Sequence, residues 1–357
     1  MSRITPALIL SVALTTSSSA FSDGSERQKP IKDPTALQLQ STFDPVGAEV
    51  HTLQDNGREL FFIDEGKRDD RAVVFIGGQG TSLEAFQLTE FARTTREQFG
   101  IRIISVERNG FGESSFDPKL GYQDYTREIL TVLDHLDIDR FAIVAISGGG
   151  AYAAHLAATE PDRVLSLHAA AAVSRTLPTR SEPKCNTDEK TARESLIADT
   201  HNPKKWWAIG DSPVQAIPGW QTRAYADATR SFYVGGQLGD PAALAHENML
   251  VCGKDAVVDS KRITAPTYLY YGDADTAVPV DQMRQWQAAL PNVVKAKVYA
   301  GEGHTVQYRH WDQILADLAG YSEYTIVCRD GNGKLVANDE VGATEQLGIC
   351  AWKPNSD

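Results

Sequence analysis

Ser147 stands in the run Val144-Ala145-Ile146-Ser147-Gly148-Gly149-Gly150, behind an apolar stretch and ahead of an Ala-rich one. A serine on a sharp strand-to-helix turn exposes its hydroxyl, and the strained backbone there needs small residues two places before and two after. Ala145 and Gly149 meet that need, so the run reads as a nucleophile elbow. A hydroxyl is a weak nucleophile until a base takes its proton, and the base needs a third group to hold its tautomer. Two later loops carry such groups. Tyr268-Leu269-Tyr270-Tyr271-Gly272-Asp273-Ala274-Asp275 puts carboxylates just past a strand end, with Asp275 the expected acid and Asp273 its competitor. Gly301-Glu302-Gly303-His304 puts an imidazole on a tight loop between strand and helix, which makes His304 the expected base. His310, farther into the helical stretch, reads as structural.

Acyl transfer through a serine also needs donors aimed at the developing oxyanion. The loop Gly77-Gly78-Gln79-Gly80-Thr81 follows an apolar strand and offers backbone amides. Gly78 and Gly148 are the expected pair, with Gln79 the alternative if the loop register shifts by one. The same glycines carry no G-K-[ST] and no complete GxGxxG, which argues against nucleotide binding. There is no CxxC, and His246-Glu247 is not continued into HExxH because position 250 is leucine. No metal and no cofactor are expected.

The elements that must position these residues follow from hydrophobic periodicity. Strand-like runs fall at 48–53, 59–64, 72–76, 101–107, 141–146, 164–171, 267–271 and 294–299, with helical stretches at 122–136, 150–159, 282–289 and 306–318 between and after them. Such alternation specifies an α/β fold with a mostly parallel sheet covered by helices on both faces. It stops over 173–262, where Arg, Asp, Trp and Pro accumulate among short helical pieces such as 191–198 and 242–250. That segment reads as an inserted helical cap, and its Trp206, Trp207, Trp220, Phe232 and Tyr233 are candidates to line a binding cleft. Residues 36–172 and 263–320 form the expected core. Residues 321–357 form a C-terminal extension that reads as a small disulfide-stapled hairpin turning at Asp330-Gly331-Asn332-Gly333.

Together these residues resemble the α/β-hydrolase superfamily over about 50–320. The run Ile76-Gly77-Gly78-Gln79-Gly80 is similar to its HGxPG oxyanion loop, and Glu107-Arg108-Asn109-Gly110-Phe111-Gly112-Glu113-Ser114 to its D-R-x-G-x-G-x-S turn. The elbow and the acid and histidine loops follow in the order Ser, Asp, His that this fold uses. Three positions depart: Ala145 for the elbow's first glycine, Ile76 for histidine and Gln79 for proline. The resemblance implies a central eight-stranded sheet, a cap over the site, no cofactor, and hydrolysis through an acyl-enzyme.

Residues 1–20 read as a signal peptide, with Arg3 ahead of a short apolar run and Ser18-Ser19-Ala20 as cleavage site; 21–35 reads as a flexible polar segment. Export to a periplasm or the medium is the expectation. The even set Cys185, Cys252, Cys328 and Cys350 fits an oxidising compartment; of three possible connectivities, proximity favours Cys185 with Cys252 and Cys328 with Cys350. A net charge of −12 argues against nucleic acid or anionic lipid as partner, and no apolar stretch is long enough to span a bilayer. The expected partner is a small-molecule ester, lactone or amide, with ester or lactone hydrolysis by a serine hydrolase the leading reading. An aminopeptidase or amidase similar to prolyl aminopeptidases, or a catalytically silent ligand-binding member, are the alternatives. Oligomeric state is not legible.

Overall fold

Alternation at period two decides which side each strand residue faces. In β3 (Arg71–Ile76), Ala72, Val74 and Ile76 enter one buried cluster while Val73 and Phe75 enter another. Both faces of the strand are therefore covered, as a central parallel strand requires. In a computed structural model of the chain, residues 34–37, 48–178, 183–186, 188, 190, 191, 194 and 241–350 are described. Eight strands make one sheet: β1 (Val50–Asp55), β2 (Arg58–Glu65), β3, β4 (Ile101–Val106), β5 (Phe141–Ile146), β6 (Val164–Ala170), β7 (Thr267–Gly272) and β8 (Val293–Tyr299). Their spatial order is β1-β2-β4-β3-β5-β6-β7-β8. β1 and β2 pair antiparallel through an Asn56-Gly57 turn with positive φ at both residues, and β2 is antiparallel to β4. From β4 to β8 every pairing is parallel. This is the mostly parallel eight-stranded sheet that the sequence led us to expect.

Helices cover both faces. The helix α1 (Arg93–Gln98) precedes β4, and α2 (Tyr122–His135) follows it; α3 (Gly149–Thr159) follows β5. α4 (Pro241–Leu250) lies between β6 and β7, α5 (Val280–Ala289) between β7 and β8, and α6 (Val306–Arg309) and α7 (Trp311–Leu318) follow β8. Ile129, Val132, Leu156, Met283 and Trp286 from α2, α3 and α5 build one core layer; Trp311, Ile314 and Leu315 from α7 build the other. The single helical stretch expected over 306–318 is broken at His310. There the backbone leaves helical geometry (φ −115°, ψ 25°), and the ring stacks on Tyr299 while pairing with Glu302.

β3 and β5 are neighbours, with Ile76 opposite Ala145, yet the chain leaves them toward opposite sides of the sheet. A crevice opens at the carboxyl ends of strands whose connections diverge in this way. Both ends of the β6–β7 insertion are built into the core, since Val173, Leu177, Ala256 and Val258 pack in the same layer as Leu269 and Tyr271. Cys185 and Cys252 are joined across that insertion.

After α7 the chain forms the antiparallel hairpin β9 (Tyr324–Arg329) and β10 (Asn332–Ala337), turning at Asp330-Gly331 with positive φ at both. Gln313 on α7 donates to the Tyr324 carbonyl and accepts from the Ile326 amide, and Cys328 is bonded to Cys350. The disulfide pairs and the stapled extension match the sequence reading. The expected leader (1–20), residues 21–33, and the aromatics Trp206, Trp207, Trp220, Phe232 and Tyr233 lie outside the described residues.

Candidate active site

The C-terminal ends of β3, β5, β7 and β8 bring the candidate residues together. Ser147 follows β5 directly with φ +50°, a left-handed backbone that a serine adopts only where its surroundings enforce it. The enforcement is visible: the Ser147 carbonyl accepts from the amides of Val173 (2.8 Å) and Gly150 (3.1 Å). Two places on, Gly149 is required by contact, because a Cβ there would lie 2.4 Å from the Ile76 carbonyl oxygen and 2.7 Å from that of Gly77. Ala145 is wholly buried, so a methyl group is tolerated where the superfamily usually has glycine.

His304 Nε2 lies 3.0 Å from Ser147 Oγ, and His304 Nδ1 lies 2.8 Å from Asp275 Oδ2. The other oxygen of Asp275 accepts from the amides of Ala277 and Val278, both at 2.8 Å, and its side chain is fully shielded from solvent. Of the two candidate aspartates, Asp275 is the one that reaches the histidine. Asp273 instead accepts from the Gly301 amide at 2.6 Å and braces the histidine loop. A bond from the Ala274 amide to the Glu302 carbonyl (3.0 Å) ties the two loops again.

On the other side of Ser147 lies the loop after β3. A Cβ on Gly78 would stand 3.4 Å from Ser147 Cβ, and one on Gly148 would meet Gln79 N at 2.8 Å. Gly78, Gln79 and Gly148 are therefore gathered beside the serine. Gly148 immediately precedes α3, whose N-terminus carries the positive end of the helix dipole. A serine, an imidazole and a carboxylate in hydrogen-bonding line, flanked by backbone amides, can pass a proton from hydroxyl to imidazole and receive negative charge on a substrate oxygen.

Several contributors were not assigned by sequence reasoning. Glu302, within the histidine loop, pairs with His310 at 2.9 Å; burial opposes its charge, but the hydrogen bond and charge of His310 hold its carboxyl below the usual range. Arg108 and Glu247 form a buried ion pair at 2.6 Å behind the Gly78 loop. Arg108 was visible within the D-R-x-G-like turn, whereas nothing local marks Glu247. Glu107 accepts from the Leu83 and Arg108 amides, and burial pushes its carboxyl up to about 8. Among the described residues, no group of three or more His, Cys, Asp or Glu is arranged to hold a metal ion, and no helix is long and apolar enough to cross a membrane.

The family model described as alpha/beta hydrolase fold matches residues 71–310, and the chain belongs to that family. Among its relatives, a non-heme chloroperoxidase of Streptomyces lividans is 26% identical over 280 residues, covering 74% of this chain and 96% of that one. A bromoperoxidase from Bacillus anthracis superposes with a TM-score of 0.58 at 21% identity, covering 77% of this chain and 99% of that one. An esterase from Exiguobacterium antarcticum superposes at 0.57 with 16% identity, covering 80% and 98%. These structural likenesses bear on fold alone.

Proposed function

We propose that the chain is an exported serine hydrolase that cleaves a carboxylic ester or lactone through an acyl-enzyme on Ser147. The observation that carries this reading is the continuous hydrogen-bonded line from Ser147 Oγ through His304 to Asp275, at 3.0 and 2.8 Å. Ser147 attacks the substrate carbonyl carbon as His304 Nε2 takes the hydroxyl proton, and Asp275 stabilises the imidazolium that results. The tetrahedral oxyanion is received by the amides of Gly78 and Gly148, with Gln79 the alternative to Gly78. Collapse expels the alcohol, which takes its proton from His304. Water then attacks the acyl-serine with His304 as base, releasing the acid and restoring the hydroxyl. The 173–262 insertion is the part that selects the substrate as a cap, and the two disulfides support an oxidising destination.

The likeness to non-heme chloroperoxidases makes hydrogen peroxide a second acceptor to test. An acyl-serine yields to any nucleophile that the histidine can deprotonate, water giving the acid and peroxide the peracid.

The experiment is turnover of p-nitrophenyl esters of short and long acyl chains by wild type and Ser147→Ala, beside a proline nitroanilide. Ester turnover lost in the variant is expected. Amide cleavage without ester cleavage would turn the reading toward a peptidase, and silence on every substrate would contradict it.

A further inference from the structure

The loop Gly77-Gly78-Gln79-Gly80 contains three glycines and lacks the proline usual at position 79, so its own backbone preferences leave it poorly determined. Two side chains determine it from outside. Arg108 Nη2 donates to the carbonyls of Gly78 (2.6 Å) and Thr81 (2.7 Å). Glu247 accepts from the Gly80 amide at 2.8 Å with one oxygen and from Arg108 Nη1 at 2.6 Å with the other. Both side chains are almost completely buried, and the guanidinium lies over the rings of Phe111 and Tyr152. A buried ion pair whose remaining donors and acceptors are spent on one loop holds that loop in one geometry.

Glu247 comes from α4, between β6 and β7, and that helix is seated against the turn that carries Arg108. A Cβ on Gly110 would lie 2.6 Å from Ala243 Cβ, Phe111 packs with Ala243 and Leu244, and the His246 ring is 2.7 Å from the Leu120 carbonyl. Cys252, just beyond α4, is bonded to Cys185 at the other side of the insertion.

We propose that Glu247 is a positioning residue for the oxyanion loop. Acting through Arg108 and the Gly80 amide, it holds Gly78, or Gln79 as its alternative, where the loop amide receives the developing negative charge, so that seating of the β6–β7 insertion and catalytic competence are coupled. This rests on the serine hydrolase reading given above.

The test compares wild type, Glu247→Gln, and the double variant Arg108→Met with Glu247→Met. The glutamine keeps the shape and an acceptor for Gly80 but removes the charge that Arg108 needs; the double variant replaces the pair with apolar side chains, an exchange that folds commonly tolerate. Thermal unfolding reports folding, and p-nitrophenyl ester kinetics report kcat and KM separately. Affinity for phenylboronic acid, which forms a tetrahedral anion on a reactive serine, reports the oxyanion site. In whichever variants fold, kcat is expected to fall at least tenfold with KM within about threefold, less than the 10²–10³ that removal of an oxyanion donor costs. Boronic acid affinity should fall by the same factor as kcat. Folded variants with wild-type kcat, or with lowered kcat and unchanged boronic acid affinity, would overturn the positioning role alone. A wild type inert to both esters and boronic acid would overturn the serine hydrolase reading, and this role with it.

Discussion

Asp275 Oδ2 faces His304 Nδ1 at 2.8 Å while Asp275 Oδ1 is held by two backbone amides, so the carboxylate has no freedom to turn away from the ring. That geometry keeps the Nδ1 proton on the aspartate side and leaves Nε2 as the acceptor for Ser147. Asp275→Asn presents an amide that favours the other tautomer. The expected loss in kcat is on the order of 10⁴-fold, the size known for the equivalent change in a serine protease triad, with little change in melting temperature. Steady-state ester kinetics beside thermal unfolding check it. A loss below tenfold would remove Asp275 from the mechanism.

Gly149→Ala drives a methyl group into the carbonyls of Ile76 and Gly77, neither of which is the mobile end of a side chain. The strand-to-loop junction must shift, at a cost of about 1–3 kcal/mol, and the amides beside Ser147 shift with it. Urea unfolding and ester kinetics on one preparation should show loss of both stability and kcat. Ala145→Gly is the contrasting change, expected to cost about 0.5–1 kcal/mol through backbone entropy while leaving turnover near wild type.

Burial raises the Glu107 carboxyl to about 8, against 4.5 for a free side chain, while the Leu83 amide and Arg108 pull it back. Between those values the folded chain holds a proton that the unfolded chain has lost. Its contribution to stability is therefore fully present below about pH 4.5 and declines as pH rises through that interval to about 8. Glu107→Gln removes the titration and keeps an acceptor for the Leu83 amide. The advantage of wild type over the variant should shrink steadily in urea unfolding from pH 5 to pH 8; parallel curves would contradict the buried-proton account.

Cys328 and Cys350 close a span of 22 positions in the C-terminal extension. Opening it in a double serine variant is expected to cost about 3 kcal/mol of stability by the loop-entropy estimate. Turnover of esters at 25 °C should be kept, because the hairpin is hydrogen-bonded to Gln313 on α7, which carries none of Ser147, Asp275 and His304. Loss of turnover in a folded variant would give the extension a role at the site.

The central strands were legible because β3 after Arg71 and β5 are buried on both faces and so read as unbroken apolar runs, while β4, equally buried, is interrupted only by Arg102 and Ser105. Ser147 was legible for a local reason, the small residues that its strained backbone demands. Asp275 was the expected acid with Asp273 as competitor, since both follow the same strand, and the fold brings Asp275 to His304 while Asp273 takes the Gly301 amide. Glu247 was invisible: its partner Arg108 is 139 positions away, and a long-range ion pair leaves no periodicity or spacing to read. The helix break at His310 was equally hidden, since it depends on Tyr299 and Glu302 from the preceding strand and loop.

The central claim is that Ser147 is a nucleophile activated by His304, and covalent labelling tests it without knowledge of the substrate. Wild type and Ser147→Ala would be treated with a fluorophosphonate and examined by intact-protein mass spectrometry and peptide mapping. One adduct per chain, on the peptide containing Ser147 and absent from the variant, is the expected result. An unlabelled wild type, or an adduct that persists in Ser147→Ala, would contradict the account.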